Sequence, residues 1–197
     1  MPNVCLFPDK DSFINEINPD TNYGTHPGLY VDTIYTGAEK TGKHRSLLTF
    51  TIPAEVAVAE VYKGIINLGY GASVNGGVSV TFHRLVQTWT EAGVTWNKRD
   101  GTNNWTGAGG AYDSVIKQTT TTPATGGFNW WNVDITGLVT DAITNRSRVL
   151  DILIKLDDEA PGVDTQVTAV SKDYTTIPQY RPFLNIIRPP FGLPMEV

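Results

Sequence analysis

Three histidines, one cysteine and a run of carboxylates are the residues from which a catalytic or metal centre could be built. His26, His44 and His83 are scattered, and no two have the spacing of a metal-ligand pair. The chain holds no H-E-x-x-H, G-x-S-x-G, phosphate-loop or dinucleotide-binding string. His83 falls on the polar phase of a strand pattern and reads as a solvent-facing or hydrogen-bonded residue rather than a base. Cys5, alone, excludes an intramolecular disulfide and a cysteine-rich zinc site. No acid and base pair stands beside an aromatic cluster. The chain is therefore expected not to be an enzyme and to carry no catalytic residue.

Asp157, Asp158 and Asp164, with Glu159, surround a Pro161-Gly162 turn. Oxygen-rich turns can hold calcium, which takes about 6–8 oxygen ligands. The spacing fits no EF-hand, and a solvated acidic hairpin is the preferred reading. Asp9 and Asp11 form a weaker second set. No cofactor is expected apart from a structural calcium at these aspartates.

The five tryptophans are Trp89, Trp96, Trp105, Trp130 and Trp131. Large aromatics fill cores by default. Trp130 and Trp131 are adjacent in a strand pattern, however, so their side chains must point to opposite faces. An exposed indole suits a sugar ring, whose apolar face stacks while its hydroxyls seek donors and acceptors. Trp130, Trp131, Trp105 and Tyr112 are the candidate glycan-contacting residues, with Lys98 and Arg99 as nearby polar partners. Asn104-Trp105-Thr106 and Asn145-Arg146-Ser147 match the glycosylation acceptor pattern and are read as chance.

The elements that must position these residues are strands. Leu48, Phe50 and Ile52, then Val78, Val80 and Phe82, then Leu150, Ile152 and Ile154 alternate with mostly polar neighbours, the period of a strand with one buried face. Further strands are expected at Ser12–Ile17, Leu29–Ile34, Val61–Tyr70, Phe128–Asp134, Gln166–Ser171 and Phe183–Ile187, each bounded by turn residues. Only Leu138, Val139, Ala142 and Ile143 recur at helical spacing. Thr136 is expected to cap that helix and Asn145 to end it in a left-handed conformation. The fold class is all-β, an antiparallel jelly-roll-like sandwich with one short helix. Residues 1–8 are expected to form an N-terminal arm, 9–187 a single sandwich domain, and 188–197 a Pro-rich C-terminal arm. The stretch Gln118–Gly127 reads as a long surface loop rather than a linker.

With 197 residues, 40% of them hydrophobic and 18% charged, a sizeable core is within reach. The net charge of −5 argues against nucleic acid as a partner, because phosphate-backbone binding needs a basic face. No apolar run approaches a membrane span, so no membrane insertion is expected. No basic, apolar leader is visible, and synthesis in a cytoplasm is expected.

Several strings occur in family order over residues 9–187. They begin with Asp11-Ser12-Phe13-Ile14, Thr21-Asn22-Tyr23-Gly24 and Leu29-Tyr30-Val31. His44-Arg45-Ser46-Leu47-Leu48-Thr49-Phe50-Thr51-Ile52-Pro53 follows. The most specific is Trp89-Thr90-Glu91-Ala92-Gly93-Val94-Thr95-Trp96-Asn97, with Trp105 and Gly109-Gly110 after it. Val133-Asp134-Ile135-Thr136 and Tyr180-Arg181-Pro182-Phe183-Leu184-Asn185-Ile186 close the set. Together they resemble the disaggregatase-related (DNRLRE) domain, also classed among carbohydrate-binding modules. The resemblance implies a jelly-roll-like sandwich without its own catalytic centre, carried on surface-polysaccharide proteins and in some cases binding acidic polysaccharides. On physical grounds the motif is structural first. Trp89 and Trp96 should close one end of the fold, Glu91 and Thr95 should satisfy loop amides, and Gly24 should take positive φ.

Two functions of different class follow. One is a structural surface protein, such as a bacteriophage head or tail decoration protein on a virion surface. Its partners would be other assembly proteins or copies of itself, docked through Phe191, Leu193, Met195 and Val197. The other is a secreted or enzyme-attached carbohydrate-binding module directed to polysaccharide.

Overall fold

In the computed structural model the described residues are 2–36, 39–74, 77–123, 128–160 and 164–189. Among the described residues, eleven strands, each pairing antiparallel, form one sheet that curls on itself. They are β1 (Val4–Leu6), β2 (Lys10–Asn15), β3 (Gly28–Thr36), β4 (Glu39–Thr51), β5 (Lys63–Val74) and β6 (Ser79–Leu85), then β7 (Tyr112–Thr121), β8 (Asn129–Asp134), β9 (Val149–Leu156), β10 (Thr165–Val170) and β11 (Phe183–Ile187). The order across the sheet is β1-β11-β5-β10-β3-β4-β9-β6-β7, with β2 also on β4 and β8 also on β5. The fold is the expected all-β antiparallel sandwich with one helix, α1 (Thr136–Asn145).

The alternation seen in the sequence builds the core. Leu48, Phe50 and Ile52 meet Val80, Phe82, Ile152 and Ile154 from one half of the sheet, and Ile66, Leu68, Tyr70 and Trp131 from the other. Val78 is only partly buried, at the rim of this cluster. Residues on both sides of Thr121 enter this one cluster. Leu138, Val139 and Ala142 of α1 cover one end of it.

A second, smaller cluster lies on the opposite face of β4 and β9. Leu47 and Leu153 face it together with Ile14 and Leu85, and Trp89, Trp96 and Trp105 descend onto it from the connection between β6 and β7. Trp89 Nε1 donates to Thr49 Oγ1 at 3.1 Å and to Asp151 Oδ1 at 3.2 Å. Trp105 Nε1 donates to the Thr95 carbonyl at 3.0 Å. Thr95 Oγ1 accepts the Lys98 amide at 2.9 Å, and Glu91 Oε1 accepts the Asp11 amide at 2.8 Å. The tryptophan motif thus holds the fold, as its residue types imply.

Several local expectations change. Gly24 does not adopt positive φ. Glycine is needed there because a Cβ would lie 2.4 Å from the Glu91 carbonyl oxygen. Thr136 is not the cap of α1. Asp134 Oδ1 accepts its amide at 3.0 Å, while Thr136 Oγ1 accepts the Gly64 amide at 2.9 Å and ties the helix to β5. The left-handed residues after the helix are Ser147 and Arg148, not Asn145. Gln118–Thr121 belongs to β7, an edge strand paired with β6 rather than a loop. Its threonines suit a half-exposed strand surface; residues 124–127 lie outside the described residues. From the segment expected as an N-terminal arm, Val4–Leu6 joins the sheet as β1 against β11.

Candidate functional site

Strand β8 sets an open aromatic surface. Its inward residues Trp131 and Val133 enter the core, so Trp130 must point outward, 37% exposed. Phe128, just before the strand, is 44% exposed. The connection from β10 to β11 crosses the same surface and brings Tyr174 and Tyr180 to these rings. Centroid separations are 5.4 Å for Trp130–Tyr180, 5.4 Å for Phe128–Tyr180, 6.1 Å for Phe128–Tyr174 and 5.1 Å for Trp130–Phe183. The result is a continuous strip of five rings.

The sequence makes this approach possible at Gly69. Gly69 of β5 pairs with Trp130, and a Cβ there would lie 2.2 Å from the Tyr180 carbonyl oxygen. The short 3₁₀ turn Pro178–Tyr180 can therefore lie directly on the sheet. Beside it, Arg181 Nε donates to the Tyr174 carbonyl at 2.8 Å. Asn132, exposed on β8, adds an amide group near the rings, while Asn67, opposite it on β5, is buried with Nδ2 donating to the Ile65 and Phe183 carbonyls at 3.0 and 3.3 Å.

The other residues singled out from the sequence lie elsewhere. Trp131 is 4% exposed in the main core and Trp105 is 5% exposed in the second cluster, so neither offers a face to a ligand. Both indoles are consumed by packing. Tyr112 belongs to β7, against the second cluster, where its ring lies 4.4 Å from His83 and 5.6 Å from the Arg45 guanidinium. Lys98 and Arg99 sit in the β6–β7 connection, bonded to Thr95 and Thr88. His83 is buried, with Nδ1 2.8 Å from the Asp113 carbonyl, and burial lowers its proton affinity.

Asp157, Asp158 and Asp164 do not converge. Asp157 accepts from Thr81 Oγ1 at 2.9 Å, Asp158 from the Ala160 amide at 2.8 Å, and Asp164 from the Tyr35 amide at 2.5 Å. Glu159 instead binds Arg45 through both carboxylate oxygens at 2.7 Å, with Lys43 at 3.4 Å and Lys155 at 3.9 Å. Burial pushes its carboxyl up, and these cations, led by Arg45, reverse the effect and hold it low. Pro161 and Gly162 lie outside the described residues, as do Phe191, Leu193, Met195 and Val197.

Among the described residues, the carboxylates that approach within metal-ligand distance of one another are Asp11, Glu91 and Asp173. A lysine already fills their centre: Lys172 Nζ is 3.1 Å from Asp173 and 3.2 Å from Glu91. Asp11 is buried behind it, with Oδ2 accepting the Lys172 amide at 2.6 Å. Burial pushes the Asp11 carboxyl up to about 7.

The strip was only half visible in the sequence. Trp130 was found from its pairing with Trp131. Tyr174 and Tyr180 sit in an irregular connection with no periodicity, and the usable signals were the aromatic Phe128 and the Tyr180–Phe183 string at the end of the motif set.

The structure is an all-β sandwich with aromatic rings open on one surface. The profile of carbohydrate-binding module family 96 matches residues 2–180, and the chain belongs to that family. No curated protein matches the chain. The family match ends within the turn that carries Tyr180, while β11 beyond it completes the pairing of both β1 and β5.

Proposed function

We propose that this carbohydrate-binding module holds polysaccharide on the strip Trp130–Tyr180–Phe128–Tyr174 and performs no chemistry on it. The observation that carries this reading is the strip itself. Large aromatic rings left open to water side by side are costly unless a partner covers them. A sugar chain is the partner that matches the family. Asn132 and the Arg181 guanidinium would engage hydroxyls at its margins. Affinity electrophoresis through gels containing neutral and acidic polysaccharides tests this. The native protein should be retarded by at least one polymer and Trp130→Ala should migrate as in a blank gel. Equal retardation of the two proteins would refute the assignment of the strip.

The resemblance to the disaggregatase-related domain belongs to the same reading. Its tryptophan string builds the second cluster, so the motif recognises a fold rather than a sugar. A role in decorating a bacteriophage particle rests on Phe191, Leu193, Met195 and Val197, outside the described residues, and glycan binding requires none of them. Removal of residues 190–197 is the test of that role. A decoration protein should lose its place in the particle or oligomer while keeping its melting temperature, and normal assembly would exclude the arm.

A further inference from the structure

We propose that Lys172 is a positioning residue for the strip: its ammonium, held between Asp173 and Glu91, fixes the turn from which Tyr174 reaches Phe128. This rests on the reading that the strip binds polysaccharide. It makes one end of the strip depend on a charge outside the row of rings. Tyr174 stands at that end: its ring meets Phe128, Phe128 meets Tyr180, and Tyr180 meets Trp130.

The connection from β10 to β11 has no strand partner, so a few bonds set its course. At its start Ser171 is buried, with its amide donating to the Pro27 carbonyl at 3.0 Å and Oγ to the His26 carbonyl at 2.7 Å. The chain then turns back on itself. The Asp173 amide donates to Ser171 Oγ at 3.1 Å and the Tyr174 amide to the Ser171 carbonyl at 3.2 Å. Lys172 is the middle of that turn. Its amide donates to Asp11 Oδ2 at 2.6 Å, and its ammonium lies 3.1 Å from both Asp173 oxygens and 3.2 Å from Glu91 Oε1. Glu91 Oε1 also accepts the Asp11 amide at 2.8 Å. One lysine thus ties the turn to β2 and to the β6–β7 connection. Burial works against its charge, but the bonds to Asp173 and Glu91 outweigh this and raise its proton affinity. Beyond it, among the described residues, the hydrogen bond from 173–182 to another element is that of the Tyr180 hydroxyl to the Phe128 carbonyl at 3.4 Å. The Arg181 bond to the Tyr174 carbonyl is internal to the connection.

The effect of this lysine is local. The side chains of Lys172, Glu91 and Asp173 are 24%, 28% and 34% exposed, and ion pairs so open to water add little to global stability. Their carboxylates, however, are crowded: oxygens of Asp11, Glu91 and Asp173 lie within 4.8 Å of one another. Without an ammonium among them, like charges at that distance repel. Asp11 is fixed in β2, and the Glu91 carbonyl is held by Asn22 Nδ2 at 2.7 Å. Asp173 is therefore the group that gives way, and Tyr174 follows it. The other end of the strip has its own support, because Trp130 belongs to β8 and Tyr180 is seated on Gly69. Loss of the ammonium shortens the row of rings without dismantling it. Long sugar chains lose a contact and short ones do not.

Calorimetric titration of the wild-type protein, Lys172→Met, Lys172→Arg, Glu91→Gln, Tyr174→Ala and Trp130→Ala tests this. The probes are disaccharides and hexasaccharides of the gluco-, manno-, xylo- and uronate series. Nuclear Overhauser contacts between the Tyr174 and Phe128 rings report the geometry. Lys172→Met should weaken hexasaccharide binding about fivefold, the effect of losing one interface contact, and Tyr174→Ala should do the same. Lys172→Met should also lose the Tyr174–Phe128 contact while keeping disaccharide affinity. Lys172→Arg retains the charge and should restore both affinity and contact. Glu91→Gln keeps an acceptor for the Asp11 amide and removes one partner of the ammonium; it should show the same loss at about twofold, and it decides the matter alone if Lys172→Met does not fold. Wild-type hexasaccharide affinity in Lys172→Met and Glu91→Gln, with Tyr174→Ala weakened, overturns the positioning role and leaves the strip standing. Equal losses in Lys172→Met and Lys172→Arg, or loss of disaccharide binding in Lys172→Met, overturn it as well. Wild-type affinity of Trp130→Ala, or no binding of any probe by the wild-type protein, overturns the strip itself and the positioning role with it.

Discussion

Adjacent on β8, Trp130 and Trp131 face opposite sides of one strand, so alanine at each position separates binding from folding. Trp131 packs on Tyr70 and Phe82 in the core, with centroids at 6.2 and 5.5 Å. Its truncation should cost about 3–5 kcal/mol. Trp131→Phe should cost clearly less, because Nε1 is buried with no hydrogen-bond partner among the described residues and phenylalanine removes that unpaired donor. Trp130→Ala should cost about 1 kcal/mol or less, as expected of a surface contact. Urea unfolding of the three variants orders them, and a Trp130→Ala loss as large as that of Trp131→Ala would place both rings in the core. At Asp11 the folded-state value of about 7 stands above the ordinary 3.8. The folded protein then holds a proton that the unfolded chain releases, so this residue makes stability fall as pH rises from about 4 to 7, by a total on the order of 4 kcal/mol, and level off above. Asp11→Asn should match wild type near pH 4 and exceed it at pH 8. A constant difference across that range would show that Asp11 does not titrate there.

At the scale of elements, the turn Pro178–Tyr180 lying on β5 is what assembles the strip. Gly69→Ala places a methyl group against the Tyr180 carbonyl, and relief requires the turn to lift. The expected cost is about 1–3 kcal/mol, typical of overpacking, together with a loss of sugar affinity that the thermal stability alone would not explain. Near-UV circular dichroism, sensitive to the Trp130–Tyr180 contact, reports the displacement; an unchanged spectrum would mean that the turn does not depend on this close approach. The strands that carry strict alternation, β4, β6 and β9, were legible in the sequence because their two faces differ. Strand β7 was not. Its run of threonines beside Pro123 and Gly126 resembles a loop, and only pairing with β6 makes it a strand. Tyr174 and Tyr180 escaped for a related reason: a connection without periodicity shows which residues it contains but not which surface it crosses.

At the scale of the whole molecule, the chain divides its aromatic residues between two faces. The string Trp89–Asn97 fills the second cluster on one side, while the open rings stand on β8 on the other. The Arg45–Glu159 pair closes the first side: Arg45 lies 5.0 Å from the Trp96 ring and donates to the Gly109 carbonyl at 2.6 Å. Its charge and hydrogen bonds are therefore used in holding the β6–β7 connection. The tryptophan string is thus spent on folding the domain, and the proposed sugar surface on residues that the fold leaves over. The most direct test is an amide chemical-shift titration of the isotopically labelled protein with the oligosaccharide it binds best. The account predicts that shifts concentrate at Phe128–Asn132 and Ser171–Phe183, leaving Trp96–Tyr112 unmoved. Shifts centred on Trp96, Tyr112 and Arg45 instead would place the sugar on the opposite face and contradict it.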